Sequence, residues 1–150
     1  MLIKTLLYPC YPIKGFVYGD QVRLEGQSVV VNIQHRKNSR GLCSQCCESS
    51  PGYDHLKVRR YRFVPLWGYV VEFLYTPRRV QCARHGIVVE SLPWADGKSP
   101  ITKPFKLFLA HWARRLSWKE VAMQCRVSWQ NVFESVKHVV PYGLKHRDLE

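Results

Sequence analysis

The sequence predicts an α+β protein, a small antiparallel β domain followed by a three-helix domain. Three observations predict it. Apolar and polar residues alternate with period two over much of residues 1–95. Two short Cys/His pairs lie inside that region, at 43–46 and 82–85. Beyond residue 101 the apolar period lengthens to that of a helix.

The first strand region covers 16–36. Val29, Val31 and Ile33 share one face, and Val30, Asn32 and Gln34 take the other. Turns are expected at Gly19-Asp20 and Gly26-Gln27. Residues 37–57 read as loop, with Asn38-Ser39, Ser49-Ser50 and Pro51-Gly52. A second strand region follows in four pieces: Arg60 to Val64, Tyr69 to Tyr75, Arg79 to Gln81 and Ile87 to Glu90. Pro65 and Pro77 punctuate it, and β-branched and aromatic residues fill it. Residues 96–101, ending Gly97-Lys98-Ser99-Pro100-Ile101, have the composition of a linker.

Helical character occupies 102–141. Thr102 is a candidate N-cap, and Phe105, Phe108, Leu109, Trp112, Ala113 and Leu116 recur at helical spacing. Ser117-Trp118-Lys119-Glu120 is a capping box that starts a second helix, with Val121, Ala122 and Cys125 inward. Ser128 caps a third, with Val132, Phe133, Val136, Val139 and Val140 inward, and Pro141 is expected to end it.

Of the six cysteines, Cys43, Cys46 and Cys82 join His85 in a Cys-x2-Cys and Cys-x2-His set. Such spacing turns two ligands back onto one ion, and thiolate plus imidazole in a tetrahedron suits Zn2+. All four positions would be filled by protein, so the ion would be structural. Gly86 permits the tight backbone after the second knuckle. Cys47 competes with Cys46 as ligand, and the matching spacing ranks Cys46 first. Cys10 and Cys125 read as small core residues. A redox role is disfavoured because no βαβ pattern surrounds the cysteines.

Lys and Arg number 23 against 11 Asp and Glu, a net charge of +12. The excess favours a polyanionic partner. Residues 36–84 carry ten Lys/Arg, among them Arg59, Arg60, Arg78 and Arg79, against Glu48, Asp54 and Glu72. The second and third helices, joined by Arg126-Val127, have helix-turn-helix dimensions. The third would then present Ser128, Trp129, Gln130, Asn131, Ser135 and Lys137 to double-stranded DNA, with Lys119 beside the backbone. Gln and Asn pair bidentately with adenine. No nucleophile–base set or paired-carboxylate pattern stands out, so no enzyme activity is expected of the chain alone. No apolar run approaches the roughly 20 residues of a membrane span. Without an export signal the expected location is cytoplasmic, near the nucleoid of a bacterium.

The residues also resemble the N-terminal part of the ISL-three family of insertion-sequence transposases. The resemblance runs almost end to end: Cys43-x2-Cys46, Gly52-Tyr53-Asp54, Arg59 to Gly68, Pro77-Arg78-Arg79-Val80-x-Cys82, Pro93-Trp94-Ala95-x-Gly97-Lys98, Leu116 to Ala122, Ser128-Trp129 and His146-Arg147-Asp148-Leu149. It implies a zinc-binding domain and a helix-turn-helix that together recognise the terminal inverted repeats of a mobile element. A ribonuclease-H-like domain with Asp, Asp and Glu ligands normally follows. Residues 142–150 would begin the connection to it, and the catalytic domain itself is expected to be missing. Three departures stand out: His85 replaces a usual Cys, Cys47 replaces a usual Gly, and the chain stops at Glu150 ahead of the first catalytic Asp. Two other readings stay open, a zinc-ribbon adaptor that docks a protein and a truncated regulator of transposition. A homo-oligomer is also open.

Overall fold

The computed structural model describes residues 3–145. The chain order is α1 (Ile3–Cys10), β1 (Phe16–Glu25), β2 (Ser28–His35), β3 (Gly41–Leu42), β4 (Ser49–Ser50) and β5 (Gly52–His55). It continues with β6 (Arg59–Leu66), β7 (Tyr69–Tyr75), β8 (Arg78–Cys82), β9 (Gly86–Val89), α2 (Lys103–Ala113), α3 (Trp118–Cys125) and α4 (Trp129–Lys145).

The main sheet has order β1-β2-β7-β6. The sequence reading expected it to be antiparallel, and it is mixed. β1–β2 and β6–β7 are antiparallel hairpins, but β2 and β7 pair in parallel. The two hairpins join through their second strands, which run the same way. Alternation in sequence records which face a residue takes and carries no such pairing information. The expected turn at Gly26-Gln27 is present. Gly19-Asp20 instead marks a register shift within β1, where Gly19 lies against the backbone of Asn32.

One face of this sheet carries the larger core. Val29, Val31, Ile33, Val71, Phe73 and Tyr61 pack there with Trp94, which is fully buried. Phe16 and Tyr75 stand edge-on to Trp94 at centroid distances of 4.8 and 5.2 Å. Helix α1, which the sequence reading did not anticipate, adds Leu7 to this core. Its Cys10 is exposed rather than packed in the core.

At one end of the sheet, where β2 and β7 finish and β6 starts, the chain makes two excursions. One gives β3, β4 and β5 within the segment read as loop, and the other gives β8 and β9. β5-β8-β9 form a three-stranded antiparallel sheet and β3-β4 a two-stranded one.

Helices α2, α3 and α4 enclose a second core of Phe105, Leu109, Val121, Ala122, Cys125 and Val132. The Ser117–Glu120 capping box forms as expected. Trp112, Leu116, Phe133 and Val140, expected inward, are partly exposed, while Lys106, Ala110 and Ser135 are buried. The inward stripes are therefore rotated from those expected. Helix α4 continues through Pro141 to Lys145, so the expected stop at Pro141 is corrected. The motif residues at 146–149 lie outside the described residues.

The segment 96–101 is not a free tether. Arg62 of β6 pairs in parallel with Ile101, its amide donates to the Pro100 carbonyl at 2.7 Å, and its carbonyl accepts from the Thr102 amide at 3.0 Å. The Arg62 side chain reaches across to the end of α3. It donates to the carbonyls of Cys125 at 2.8 Å and Arg126 at 3.0 Å, and its guanidinium lies over the Phe105 ring. A cation at a helix C-terminus also meets the negative end of the macrodipole. Arg126 itself is left-handed at φ 53°, a conformation that costs about 1 kcal/mol without glycine.

Arg62→Met keeps the stem and removes the donors. Charge-assisted hydrogen bonds of this kind are worth about 2 kcal/mol together. The urea midpoint of the helical far-UV signal is expected to fall accordingly. An unchanged midpoint would show that the pin contributes nothing.

Candidate metal centre and nucleic-acid interface

Cys43 follows β3 and bridges to Glu90, and Cys46 lies in the turn toward β4. Cys82 ends β8, and His85 lies in the tight turn before β9. The two turns have the same design. Each second ligand is followed by a left-handed residue, Cys47 at φ 58° and Gly86 at φ 70°. The Cys47 amide donates back to the Cys43 carbonyl at 2.9 Å.

The Sγ atoms of Cys43, Cys46 and Cys82 and a ring nitrogen of His85 lie within 4.8 Å of one another. Cys46 Sγ to Cys82 Sγ is 3.6 Å, and His85 Nδ1 is 3.6 Å from Cys43 Sγ and 3.7 Å from Cys82 Sγ. A tetrahedral ion bonded at about 2.3 Å to sulfur and about 2.0 Å to nitrogen requires edges of about 3.8 Å between sulfurs and about 3.5 Å between sulfur and nitrogen. The four side chains therefore fit a metal ion. Cys47 is exposed and outside the cluster.

Local electrostatics suit the same role. The Cys46 amide, and behind it that of Gln45, hold the Cys43 thiol below its ordinary range against the effect of burial. The Arg84 and His85 amides bring Cys82 down to about 6. For Cys46 the Glu48 amide acts downward, but burial and the neighbouring sulfurs of Cys43 and Cys82 outweigh it and push the thiol up to about 11. Cys82 and Cys43 in turn raise His85. A divalent cation binds thiolates and a neutral imidazole, so its binding displaces the protons these groups carry.

A buried polar network braces this centre. Glu90, whose side chain is fully buried, accepts from the Tyr75 hydroxyl, from the Arg78 amide at 2.9 Å and from Arg78 Nε at 2.9 Å. Burial, and then the Glu90 carboxylate, raise the Tyr75 hydroxyl. Arg78 also donates to the Ser39 carbonyl at 2.8 Å. Arg78, expected to face DNA, is thus a correction: its guanidinium is the counter-ion of a buried carboxylate. The role of Glu90 left no mark in the sequence, because an isolated Glu after a strand looks like any surface acid.

The other expected contacts fall into groups. Arg60 pairs with Glu25 and Glu72, both at 3.0 Å, and Arg79 pairs with Asp54. Arg59 is half-buried at the start of β6. Ser128 accepts from the Asn131 amide at 3.2 Å. Trp129 and Gln130 are exposed at the start of α4, Lys137 further along it and Lys119 on α3, while Asn131 is half-buried. Ser135 is 1% exposed, and its hydroxyl donates to the Asn131 carbonyl at 2.6 Å. It faces the helical core rather than solvent, a second correction. Its place three residues after buried Val132 explains the direction.

No protein-family profile matches the chain, and no solved structure matches it. Over 117 residues, 77% of the chain, it is 29% identical to the transposase for insertion sequence element IS1557 of Mycobacterium tuberculosis, in two strains. The chain is related to a transposase. The match covers 26% of the relative, so the chain spans about a quarter of its length. Among the described residues, no helix is long and apolar enough to cross a membrane.

The Cys46→Ala protein is expected to lose its bound metal, while Cys47→Ala retains about one ion per chain, as full occupancy of four ligands requires. Elemental analysis after gel filtration checks both. Retention by Cys46→Ala with loss by Cys47→Ala would reverse the ligand assignment.

Proposed function

We propose that this chain is the DNA-binding part of a bacterial transposase, with a structural Zn2+ at Cys43, Cys46, Cys82 and His85. It would recognise the terminal inverted repeats of a mobile element and would not itself cut or join DNA. The observation that carries the reading is the relation to the IS1557 transposase. The Cys3His cluster, whose donor set is preferred by zinc, and the net charge of +12 support it. Helices α3 and α4 would form the helix-turn-helix, with α2 as the supporting helix. Trp129 and Gln130, exposed at the start of α4, would enter the major groove, the usual docking of a recognition helix. Asn131 would reach the groove edge. Lys119 and Lys137 would flank the phosphates, together with Arg59. In a bacterial cell this activity belongs to the cytoplasm and the nucleoid.

A second reading is favoured by one observation. Trp118, Phe133 and Trp129 form an exposed aromatic row, with ring centroids 5.7 and 6.4 Å apart. Aromatic residues of this kind anchor protein interfaces, so a zinc-braced adaptor is the alternative.

The test is binding of the element's inverted-repeat duplex and of a scrambled duplex at ~0.15 M salt. The repeat is expected to bind more tightly, with affinity falling steeply as salt rises. Gln130→Ala should cost about 1–3 kcal/mol on the repeat and little on the scrambled duplex. Equal affinity for the two duplexes would remove sequence recognition. Absence of any DNA binding, with saturable binding of a protein through Trp118 and Trp129, would install the adaptor. Cys82→Ser is expected to melt the β5-β8-β9 module, and an unchanged far-UV spectrum and melting curve after metal removal would defeat the structural role of zinc.

A further inference from the structure

We propose that the cleft between the metal knuckles and α2 is a seat for a phosphodiester backbone of duplex DNA. The proposal rests on the DNA-binding reading and adds the place of contact. The cleft has a volume of about 320 Å³. Ser44 of the first knuckle, Arg59 of β6, Asp96, Gly97 and Lys98 of the following segment and Lys103 at the start of α2 line it. Its walls therefore come from both halves of the chain.

Charge separates this cleft from the rest of the basic surface. Around the metal centre, Arg60, Arg78, Arg79 and Arg84 are each spent on a carboxylate of the chain: Glu25 with Glu72, Glu90, Asp54 and Glu48. Arg59 and Lys98 make no ion pair among the described residues. Asp96 is already paired, with Lys103 at 3.3 Å and Lys106 at 4.0 Å. Glu90, also at the cleft, is neutralised by Arg78. The cleft is left with positive charge and no carboxylate free to oppose an anion.

Geometry acts in the same direction. The cleft has a fixed width, because Arg62 ties β6 to residues 100–102 and to the end of α3. The Arg59 and Lys98 side chains, free of ion pairs among the described residues, match a polyanion that passes through the cleft, and such contacts position a protein without reading bases.

The test uses the whole zinc-loaded chain and a short duplex of unrelated sequence. The variant Arg59→Gln with Lys98→Gln is compared with the unaltered chain over a range of salt. Each lost phosphate contact should reduce the slope of log affinity against log salt by about 0.9, so the double variant should lose about 1.8. Arg23→Gln, on β1 away from the cleft, should leave the slope unchanged. An unaltered slope in the double variant, while the native chain still binds duplex, would overturn the seat and leave the DNA-binding reading standing. No retention of duplex by the native chain even at low salt would overturn both. Should the double variant fail to fold, acylation of lysines in the native chain decides. Duplex is expected to slow modification of Lys98 and Lys103, and equal rates with and without duplex would refute the seat.

Discussion

Three sulfurs and an imidazole nitrogen within 4.8 Å of one another form the donor set of a tetrahedral metal site. Everything at this end of the sheet is shaped around that constraint. The two knuckles present amides to the sulfurs, each knuckle closes with a left-handed residue, and the short strands β3, β4, β5, β8 and β9 supply few buried apolar side chains of their own. Val80 is fully buried among them, and Gly41 lies so near it that a Cβ would stand 2.6 Å from its side chain. So thin a core leaves an ion to contribute what hydrophobic burial does not.

The buried Arg78–Glu90–Tyr75 network belongs to the same economy of small cores. A buried ion pair adds little net stability over apolar packing, but breaking it leaves an uncompensated charge. Here it joins the start of β8, the residue after β9 and the loop before the first knuckle. It therefore links the segments that carry the two knuckles. Arg62 does the equivalent for the helical half, joining β6 to the turn between α3 and α4. Among the described residues the clusters around Trp94 and Phe105 are separate, and the contacts of Arg62, with Val64 packed on the helical cluster, join the two halves.

Much of this was legible in the residues. The ligand set was readable because two x2 spacings are a local property, and the structure brings those four side chains together. The strands of 59–89 and the helix starts at Ser117 and Ser128 were readable for the same reason, since alternation and caps act within a few positions. What escaped depends on distant partners. The parallel pairing of β2 with β7, the burial of Arg78 and the docking of 96–101 onto Arg62 are tertiary facts without a local pattern. Helix α1 escaped because eight residues with a proline near the end show too little periodicity. The inward stripes of α2 and α4 were misphased where Lys106 and Ser135, polar residues, occupy buried positions that apolar residues were expected to fill.

The parallel junction of β2 and β7 has a consequence for how the chain folds. Each hairpin of the main sheet closes over a short turn and can form early. Joining them brings Ser28 opposite Val70 and Asn32 opposite Leu74, across a stretch of chain that contains the first knuckle. Closing a long loop costs entropy before the contacts it permits can reward it. Cys43 and Cys46 lie between β2 and β6, and Cys82 and His85 follow β7, so one ion shared among them would draw the ends of both hairpins together. Metal uptake would then act on the rate of assembly as well as on its end point, and a chain without the ion would have to find its central strand pairing unaided.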